Sequence, residues 1–375
     1  MRKIRVAVLF GGRSGEHEVS IASAKSVMGA MSPDRYEVLP VGITKQGRWL
    51  TSGDPLAALA SPDGPALLGE ASEGEAPGVP ANAIRSAAAR ELVPGASAKF
   101  PAVDVVFPVL HGTLGEDGTV QGLLELADLP YVGSGVLGSA VGMDKVAMKA
   151  ILEANGLPVV EYVAVARKTW RREPEATMDR VEARFAYPVF VKPANMGSSV
   201  GISKAHDRTE LAASLRLAAR FDRRLLVERA VNARELECSV LGNDEPVASV
   251  VGEVVPCNEF YDYKAKYING DSALYIPADL PAEVARQVQD LAVRAFVALD
   301  CAGMARADFL LCRDTGTLYL SELNTIPGFT EISMYPKLWE ASGLPYPQLI
   351  DRLIELALER YEDKAGVEHS YGFDH

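Results

Sequence analysis

A strand–helix–strand pattern opens the sequence and restricts this part of the chain to a parallel α/β arrangement. The apolar run 5–10 predicts a β-strand, residues 19–31 predict a helix, and residues 36–43 predict a second strand. Two strands joined through a helix pair in parallel, because the crossover returns the chain to the same end of the sheet. The sequence therefore predicts a βαβ unit and a parallel sheet.

The turn GGRSGEHEVS (11–20) connects the first strand to its helix. A glycine-rich turn before a helix usually binds an anion, because free amide groups and the helix dipole attract negative charge. Here Glu16 occupies the position of the anion and would compete with a phosphate. The turn therefore favours recognition of a cation by Glu16. The alternative is that Glu16 only caps the helix.

Chain length and charge limit the number of domains and the kinds of partner that the protein can have. A chain of 375 residues predicts two or three domains. The net charge of -12 argues against a nucleic-acid partner, which needs a surplus of basic residues. The start MRKIRVAVLF is strand-sized and runs directly into the glycine-rich turn, so it is not expected to be a signal peptide. No apolar run approaches the ~20 residues of a membrane span, so we expect a cytoplasmic protein.

The cysteines form no C-x-x-C motif and predict reduced, buried thiols. They are Cys238, Cys257, Cys301 and Cys312.

The middle of the first half changes in composition. Residues 51–100 are rich in Ala, Pro, Gly and Glu and predict a surface insertion. The sheet resumes with a strand at 103–110, followed by the glycine-rich turn HGTLGEDG and a helix at 119–129. Residues 129–135 predict the last strand of this sheet, with a domain boundary nearby.

The second half predicts more helices and an antiparallel sheet. Residues 144–156 read as a helix that ends at glycine and proline. Strands and helices alternate to about residue 231, and alternating strands with a turn at GND follow from residue 235. Residues 347–364 predict an amphipathic helix.

Residues 305–328 contain a hairpin with acidic side chains on one face. If the turn centres on the middle residue of DTG, Asp308 faces Glu322 and Arg306 faces Asn324. Two facing carboxylates repel each other unless a cation neutralises them. Carboxylate and amide oxygens are the ligands that Mg²⁺ prefers. The alternative is an exposed hairpin with solvated acids, but the apolar neighbours favour a covered strand pair and hence the metal.

Lysines and small residues predict a phosphate site. Lys192 ends a strand and precedes the loop PANMGSSVG, whose backbone amides at Gly197, Ser198 and Ser199 would surround phosphate oxygens. The spacing of a P-loop is absent, and the alternative is an ordinary surface loop. Lys145, near a helix start, and the lysines of FYDYKAKY are weaker evidence.

Taken together, these motifs resemble the D-alanine–D-alanine ligases of the ATP-grasp superfamily. The resemblance runs from residue 6 to about residue 339 in consistent order, through LFGGRSGEHEVS, HGTLGEDGTVQG, MDK, VKPANMGSSVG, VER, FYDYKAKY, RADF and ELNTIPGFT. The combination of GEDG, KP…GSSVG and E-x-N-T-x-P-G is highly specific. The insertion 51–100 lies outside the strong match and resembles a longer subgroup.

The resemblance implies a multidomain α/β and α+β protein with the ATP-grasp fold. Residues 1–133 would form the N-terminal domain with its variable insertion, residues 134–232 the central domain, and residues 233–375 the C-terminal catalytic domain with a lid loop near 257–277. ATP would lie between two antiparallel sheets. The implied activity is ATP-dependent ligation of two D-alanines for peptidoglycan precursors, by a cytoplasmic homodimer without nucleic-acid or membrane partners.

The resemblance also assigns roles to side chains. Seven residues would contact ATP: Lys145, Lys192, Ser199, Glu228, Val231, Glu235 and Lys266. Three would bind two Mg²⁺ ions, with Mn²⁺ as an alternative: Asp308, Glu322 and Asn324. Glu16 would lie near the ammonium group of the first D-alanine and be linked by hydrogen bonds to Ser198 and Tyr267.

The remaining roles concern the reaction itself. An acyl phosphate would form on the first D-alanine and react with the second. Arg306 and the backbone N–H of Gly328 would hold the oxyanion, and Ser333 with the Met334 backbone would bind the second carboxylate. His111 would contact the first substrate or the transferred phosphate, or alternatively only shape its turn.

Three other functions were weighed. A D-alanine–D-lactate ligase on the same fold is the nearest rival, although Tyr267 matches the amine-using members. A Rossmann dehydrogenase fails because Gly11, Arg13 and Glu16 do not form G-x-G-x-x-G. A non-catalytic nucleotide-binding regulator would not need the acidic hairpin together with Arg306.

Overall fold

The computed structural model describes residues 2–60, 102–255 and 273–367. Within these ranges the strands form three sheets, two of four strands and one of five. Most of the predicted insertion and lid loop lies outside the described residues, as do Cys257, Lys266 and Tyr267. In the described ranges, no helix has the length and apolar character that crossing a membrane requires.

The first sheet confirms the predicted parallel βαβ unit. Strand β1 (Ile4–Gly11) pairs in parallel with β2 (Tyr36–Ile43) on one side and with β4 (Val105–Val109) on the other. Helix α1 (His17–Ala30) provides the first crossover, and β3 (Trp49–Leu50) adds an antiparallel edge. Buried apolar side chains along β1 and β4 show why both faces of this sheet must be covered.

The predicted strand at 129–135 is wrong. The structure contains a single parallel bridge there, between Val106 and Tyr131. The backbone turns at Gly133, whose φ is +97°, a conformation that glycine adopts without a steric penalty. The segment therefore leaves the sheet after one paired residue.

The second sheet is antiparallel and contains Lys192, which the sequence predicted for a phosphate site. Its order is β5 (Tyr162–Ala166), β8 (Arg224–Arg229), β6 (Val189–Pro193) and β7 (Ser203–Ala205). Helix α8 (Arg208–Phe221) packs its apolar side against β6 and β7. Lys192 lies near the end of β6, as the sequence predicted.

The third sheet is also antiparallel, and it follows directly along the chain. Its order is β11 (Ala273–Tyr275), β10 (Val247–Val255), β9 (Ala233–Gly242), β12 (Gly303–Cys312) and β13 (Leu318–Asn324). The predicted antiparallel pairing around GND is confirmed. The division of the chain into three domains stays a prediction, although each proposed domain contains one of the three sheets.

The other helices connect and cover the sheets. They are α2 (Pro55–Ala60), α3 (Thr119–Leu126), α4 (Val136–Met143), α5 (Lys145–Ala154), α6 (Arg167–Arg172), α7 (Pro174–Glu182), α9 (Ala282–Ala298), α10 (Met334–Ala341) and α11 (Tyr346–Ala365).

The β12–β13 hairpin has the predicted pairing next to the acids but a different turn. Asp308 pairs with Glu322, and Arg306 pairs with Asn324, which confirms the predicted register. The turn is longer than the predicted three residues, because the Cys312 N–H donates to the Thr317 carbonyl at 2.9 Å and leaves residues 313–316 between them. An irregularity after Asp308 shifts the register by one and restores the predicted pairs.

The first sheet shares its core with helix α11. Leu349, Leu353 and Ile354 of this helix belong to the same buried cluster as Phe107 of β4. The hydroxyl of Tyr36 donates to Asp351 Oδ1 at 2.7 Å across this contact. The segment after β13 is thereby held against the turns of the first sheet.

We predict that Gly138→Ala lowers the thermal unfolding temperature by several degrees. A Cβ at Gly138 in α4 would lie 2.4 Å from the backbone oxygen of Asp300, and backbone cannot move aside cheaply. The matched control is Gly122→Ala in α3, whose Cβ would meet no atom within 4 Å and should stabilise the helix by about 1 kcal/mol. Equal melting curves for both variants would contradict the packing of α4.

Candidate functional site

One cleft gathers several of the predicted site residues. It lies where the turns of the first sheet meet the β12–β13 hairpin and the loop after β6. Among the residues that line it are Glu16, His111, Glu116, Lys145, Gly197, Ser198, Arg306, Glu322, Asn324 and Gly328. Loops far apart in the sequence therefore converge on one polar space, which is the usual construction of a ligand site.

Glu16 is buried and accepts a short hydrogen bond from the Ser198 hydroxyl. The side chain makes no capping bond to α1, so the alternative that Glu16 only caps the helix is wrong. Ser198 reaches it from a left-handed backbone conformation, with φ of +47°. The carboxylate thus belongs to the cleft rather than to its own helix.

Two glycines make room for the Glu16 carboxylate. A Cβ at Gly112 would lie 2.8 Å from Glu16 Oε2, and a Cβ at Gly197 would lie 2.7 Å from the same atom. Both distances are shorter than atoms tolerate, so any larger residue would displace the carboxylate. Both turns therefore pack closely against the Glu16 carboxylate.

Glu116 is a second acid of the cleft that the sequence analysis did not single out. Its oxygens accept hydrogen bonds from the N–H of Gly112 at 2.6 Å and from the N–H of Ile326 at 3.2 Å. Burial raises the pKa of Glu116 to about 8, and the charge of Glu16 adds to this effect. The motif GEDG contains Glu116, but only the fold shows that it links two distant loops.

His111 connects the same loops through both ring nitrogens. Nδ1 lies 3.0 Å from the Ile326 carbonyl and Nε2 lies 3.1 Å from the Ser23 hydroxyl. A carbonyl only accepts, so Nδ1 carries the proton and Ser23 donates to Nε2. Burial lowers the pKa of His111, which keeps the ring neutral. These contacts favour the alternative that His111 shapes its turn.

Arg306 lies between two acids on the third sheet. Its guanidinium donates to both oxygens of Asp308 at 2.7 Å and approaches Glu237 Oε2 to 3.0 Å. Burial alone would lower the pKa of Arg306, but Asp308 and Glu237 raise it well above the ordinary value. The guanidinium is therefore charged and rigidly placed.

The predicted metal ligands fit a hard divalent cation. Asn324 Nδ2 donates to Asp308 Oδ2 at 3.0 Å, and the facing Glu322 lies 3.6 Å from the Lys145 ammonium group. All three side chains offer the oxygen donors that Mg²⁺ or Mn²⁺ takes. No group of three His, Cys, Asp or Glu side chains suited to a metal occurs in the described ranges. Asn324 and ligand oxygens would have to complete the coordination.

The predicted phosphate lysines have defined partners. Lys145 donates to the Met196 carbonyl at 2.9 Å, so it ties α5 to the loop that follows β6. Lys192 lies 2.5 Å from Glu228, another of the residues predicted to contact ATP. Glu228 also contacts Lys149 at 2.8 Å, a residue that the sequence analysis did not identify.

The other predicted residues flank these groups. Ser199 follows Ser198 in a second left-handed conformation, with φ of +58°. Val231 and Glu235 are half-buried near the junction of β8 and β9. The three remaining predicted residues, Gly328, Ser333 and Met334, lie before and at the start of α10.

The start of α10 brings two of these residues together. A Cβ at Gly328 would lie 2.7 Å from Ser333 Oγ. That hydroxyl accepts from the Thr330 N–H at 3.0 Å. The Met334 side chain packs in an apolar cluster, so only its backbone is a candidate for binding.

Comparisons with known protein families and relatives all identify the same family. A family model described as the D-ala D-ala ligase N-terminus matches residues 5–134, and one described as the C-terminus matches residues 151–355. A relative from Acetivibrio thermocellus named D-alanine–D-alanine ligase is 52% identical over 96% of this chain and 97% of its own length.

Solved structures agree with these matches. The D-alanine–D-alanine ligase from Coxiella burnetii aligns with a TM-score of 0.80 at 38% identity, covering 97% of both chains. The VanG D-Ala:D-Ser ligase from Enterococcus faecalis aligns with a TM-score of 0.79 at 35% identity, covering 95% of this chain and 100% of its own.

We predict that Glu228→Gln is less stable than the wild type at pH 7 and that the difference shrinks in acid. Burial disfavours the Glu228 carboxylate, but Lys192 and Lys149 outweigh this and lower its pKa from 4.5 to about 2. The stability from this group is therefore complete above the unfolded pKa of 4.5 and is lost as the pH falls toward 2. Melting temperatures of both proteins between about pH 7 and pH 3 measure the effect.

The control is Glu283→Gln at an exposed position of α9. Its melting temperature should follow the wild type at every pH. A constant gap for Glu228→Gln across the series would contradict the buried ion pairs.

Proposed function

The chain belongs to the D-alanine–D-alanine ligase family, and we propose that it uses ATP to join two D-alanine molecules for peptidoglycan precursor synthesis. The observation that carries the proposal is the convergence in one cleft of the Glu16–Ser198 pair, Arg306 and the oxygen donors of the hairpin. A site for a zwitterion thus adjoins a site for a phosphate chain.

The first D-alanine would be recognised by its charges. Its ammonium group would meet the Glu16 carboxylate, which is held by Ser198 and enclosed by Gly112 and Gly197. A charge-assisted hydrogen bond in a buried site is strong, and it also fixes the orientation of the small substrate. Orientation contributes to the rate because the reacting carboxylate must face the nucleotide.

The chain's lysines and acids would then place ATP. Lys145, which lines the cleft, and Lys192 would supply positive charge for its phosphates. Asp308, Glu322 and Asn324 would hold two Mg²⁺ ions. When bound, Mg²⁺ neutralises phosphate charge and orients the terminal phosphoryl group. The first carboxylate takes up that phosphoryl group, and ADP departs.

The second step forms the peptide bond. The unprotonated amine of the second D-alanine attacks the acyl carbon, and phosphate leaves with the bonding electrons and takes up the proton that the nitrogen loses. Arg306 and the Gly328 N–H would stabilise the oxyanion of the tetrahedral intermediate. Asp308 and Glu237 hold the guanidinium in place beforehand, so little reorganisation is needed. Ser333 and the Met334 backbone would bind the second carboxylate.

The proposal includes a cytoplasmic homodimer, because the reaction consumes ATP and the family is usually dimeric. Sedimentation of the purified protein tests the dimer. The chemistry proposed for the cleft does not depend on the oligomeric state or on the location in the cell.

The direct test is phosphate release from ATP over a panel of D- and L-amino acids, with products identified by mass spectrometry. We expect release that depends on D-alanine and a product with the mass of D-alanyl-D-alanine. A depsipeptide formed with D-lactate at several pH values would favour the lactate-using rival. A product with D-serine would match the activity named for the Enterococcus faecalis protein. ATP binding without amino-acid-dependent turnover would favour the regulator.

We predict that Glu322→Gln abolishes turnover while the protein stays folded. The amide loses the charge that a divalent cation requires, so Mn²⁺ binding measured by electron paramagnetic resonance should weaken as well. Asp314→Asn, at an exposed position of the same hairpin, is the control and should keep both activity and Mn²⁺ binding. Normal activity of Glu322→Gln would refute the ligand assignment.

We predict that Glu16→Gln lowers kcat/KM for the first D-alanine about 100-fold, because the ammonium group loses its counter-charge. Glu18→Gln is the matched control, since Glu18 lies on α1 and pairs with Lys45 in solvent. Steady-state kinetics with D-alanine measure both. An equal effect of the two substitutions would place the ammonium site elsewhere.

A further inference from the structure

Three charged side chains form a buried cluster between α5 and the second sheet. Lys149 Nζ lies 2.8 Å from one oxygen of Glu228, and Lys192 Nζ lies 2.5 Å from the other. The side chain of Lys149 is 1% exposed, that of Glu228 is 7% exposed, and that of Lys192 is 16% exposed. Lys192 is therefore the most exposed of the three side chains.

Further contacts hold the Lys149 side chain in place. Its ammonium group also donates to the Val160 carbonyl at 3.3 Å and lies 5.7 Å from the ring centre of Tyr162. It follows Lys145 by four residues on α5, so the two lysines share one face of the helix. A buried lysine is costly unless an acid compensates it, and Glu228 is that acid.

The charge of the cluster depends on Lys149. Burial lowers the pKa of Lys149, and Glu228 opposes this effect. With both lysines protonated, one shared carboxylate leaves a net charge of +1, whereas one carboxylate with Lys192 alone leaves zero. An acid bound to Lys192 alone would also compete with phosphate oxygens for the same three N–H donors. Lys149 shares the Glu228 carboxylate, so Lys192 neutralises only part of that charge and keeps positive charge for an anion.

We propose that Lys149 is a positioning residue of the nucleotide site, which holds Glu228 so that Lys192 keeps its charge for the phosphates of ATP. The inference rests on the proposed function, since it needs a nucleotide beside Lys192. Lys149 itself touches no ligand and acts through Glu228. Replacing Lys149 should therefore weaken the binding of the phosphates and leave the affinity for the nucleoside unchanged.

The test compares the affinities of ATP and adenosine for the full-length protein by calorimetry. The ratio of the two affinities isolates the phosphate contribution within each variant. We expect Lys149→Met to lower this ratio about tenfold or more, because one unit charge near the phosphates is lost. Lys149→Arg keeps the charge and should keep the ratio. Lys168→Met, at an exposed position of α6, controls for net charge.

A double variant distinguishes charge from fold. Lys149→Met with Glu228→Gln leaves Lys192 alone with a charge of +1, and its ratio should return to within about threefold of the wild type. It removes the buried carboxylate together with one of its two partners, and its melting temperature checks that it folds. A ratio that stays low in the double variant overturns the inference.

Two further results would overturn it. An unchanged ratio in Lys149→Met with a lowered melting temperature would mean that Lys149 only stabilises the fold. Equal losses in Lys149→Arg and Lys149→Met would mean that charge is not the cause. If the wild type bound neither ATP nor adenosine, the proposed function would fail first and the inference with it.

Discussion

Three carboxylates lie side by side across the third sheet, and their mutual repulsion governs the construction of the cleft. Asp308 on β12 pairs with Glu237 of β9 on one side and with Glu322 of β13 on the other. Like charges at directly paired positions destabilise a sheet. Arg306 contacts two of the acids and Lys145 approaches the third, so basic side chains offset part of the repulsion. A divalent cation bound beside these acids would lower the repulsion further.

The second sheet also contains a cluster of charged side chains, but its excess charge is positive. The excess arises because Glu228 is shared by Lys149 and Lys192. Both clusters are shielded from water, which strengthens attraction and repulsion alike. An anion with bound cations, such as a nucleotide with its metal ions, complements an acidic face and a basic face set opposite each other.

Local sequence patterns predicted several charged residues of the cleft. They did not predict the buried charged residues that pair with them. The pairing of Asp308 with Glu322 was predicted correctly, although the turn is one residue longer, because an irregularity after Asp308 compensates for it. Glu16 was predicted because its place in the turn is anomalous for an anion site. Lys149 and Glu237 were missed because nothing in a helix or strand pattern tells a buried charged residue from a solvated one.

The position of helix α11 affects the order in which the chain folds during synthesis. It covers β4 and shares a buried cluster with the first sheet, yet more than two hundred residues separate it from that sheet. During synthesis, the earliest strands leave the ribosome long before the helix that shields them. Until then an apolar surface of this sheet faces water, so the first sheet completes its core only after the other two have been made.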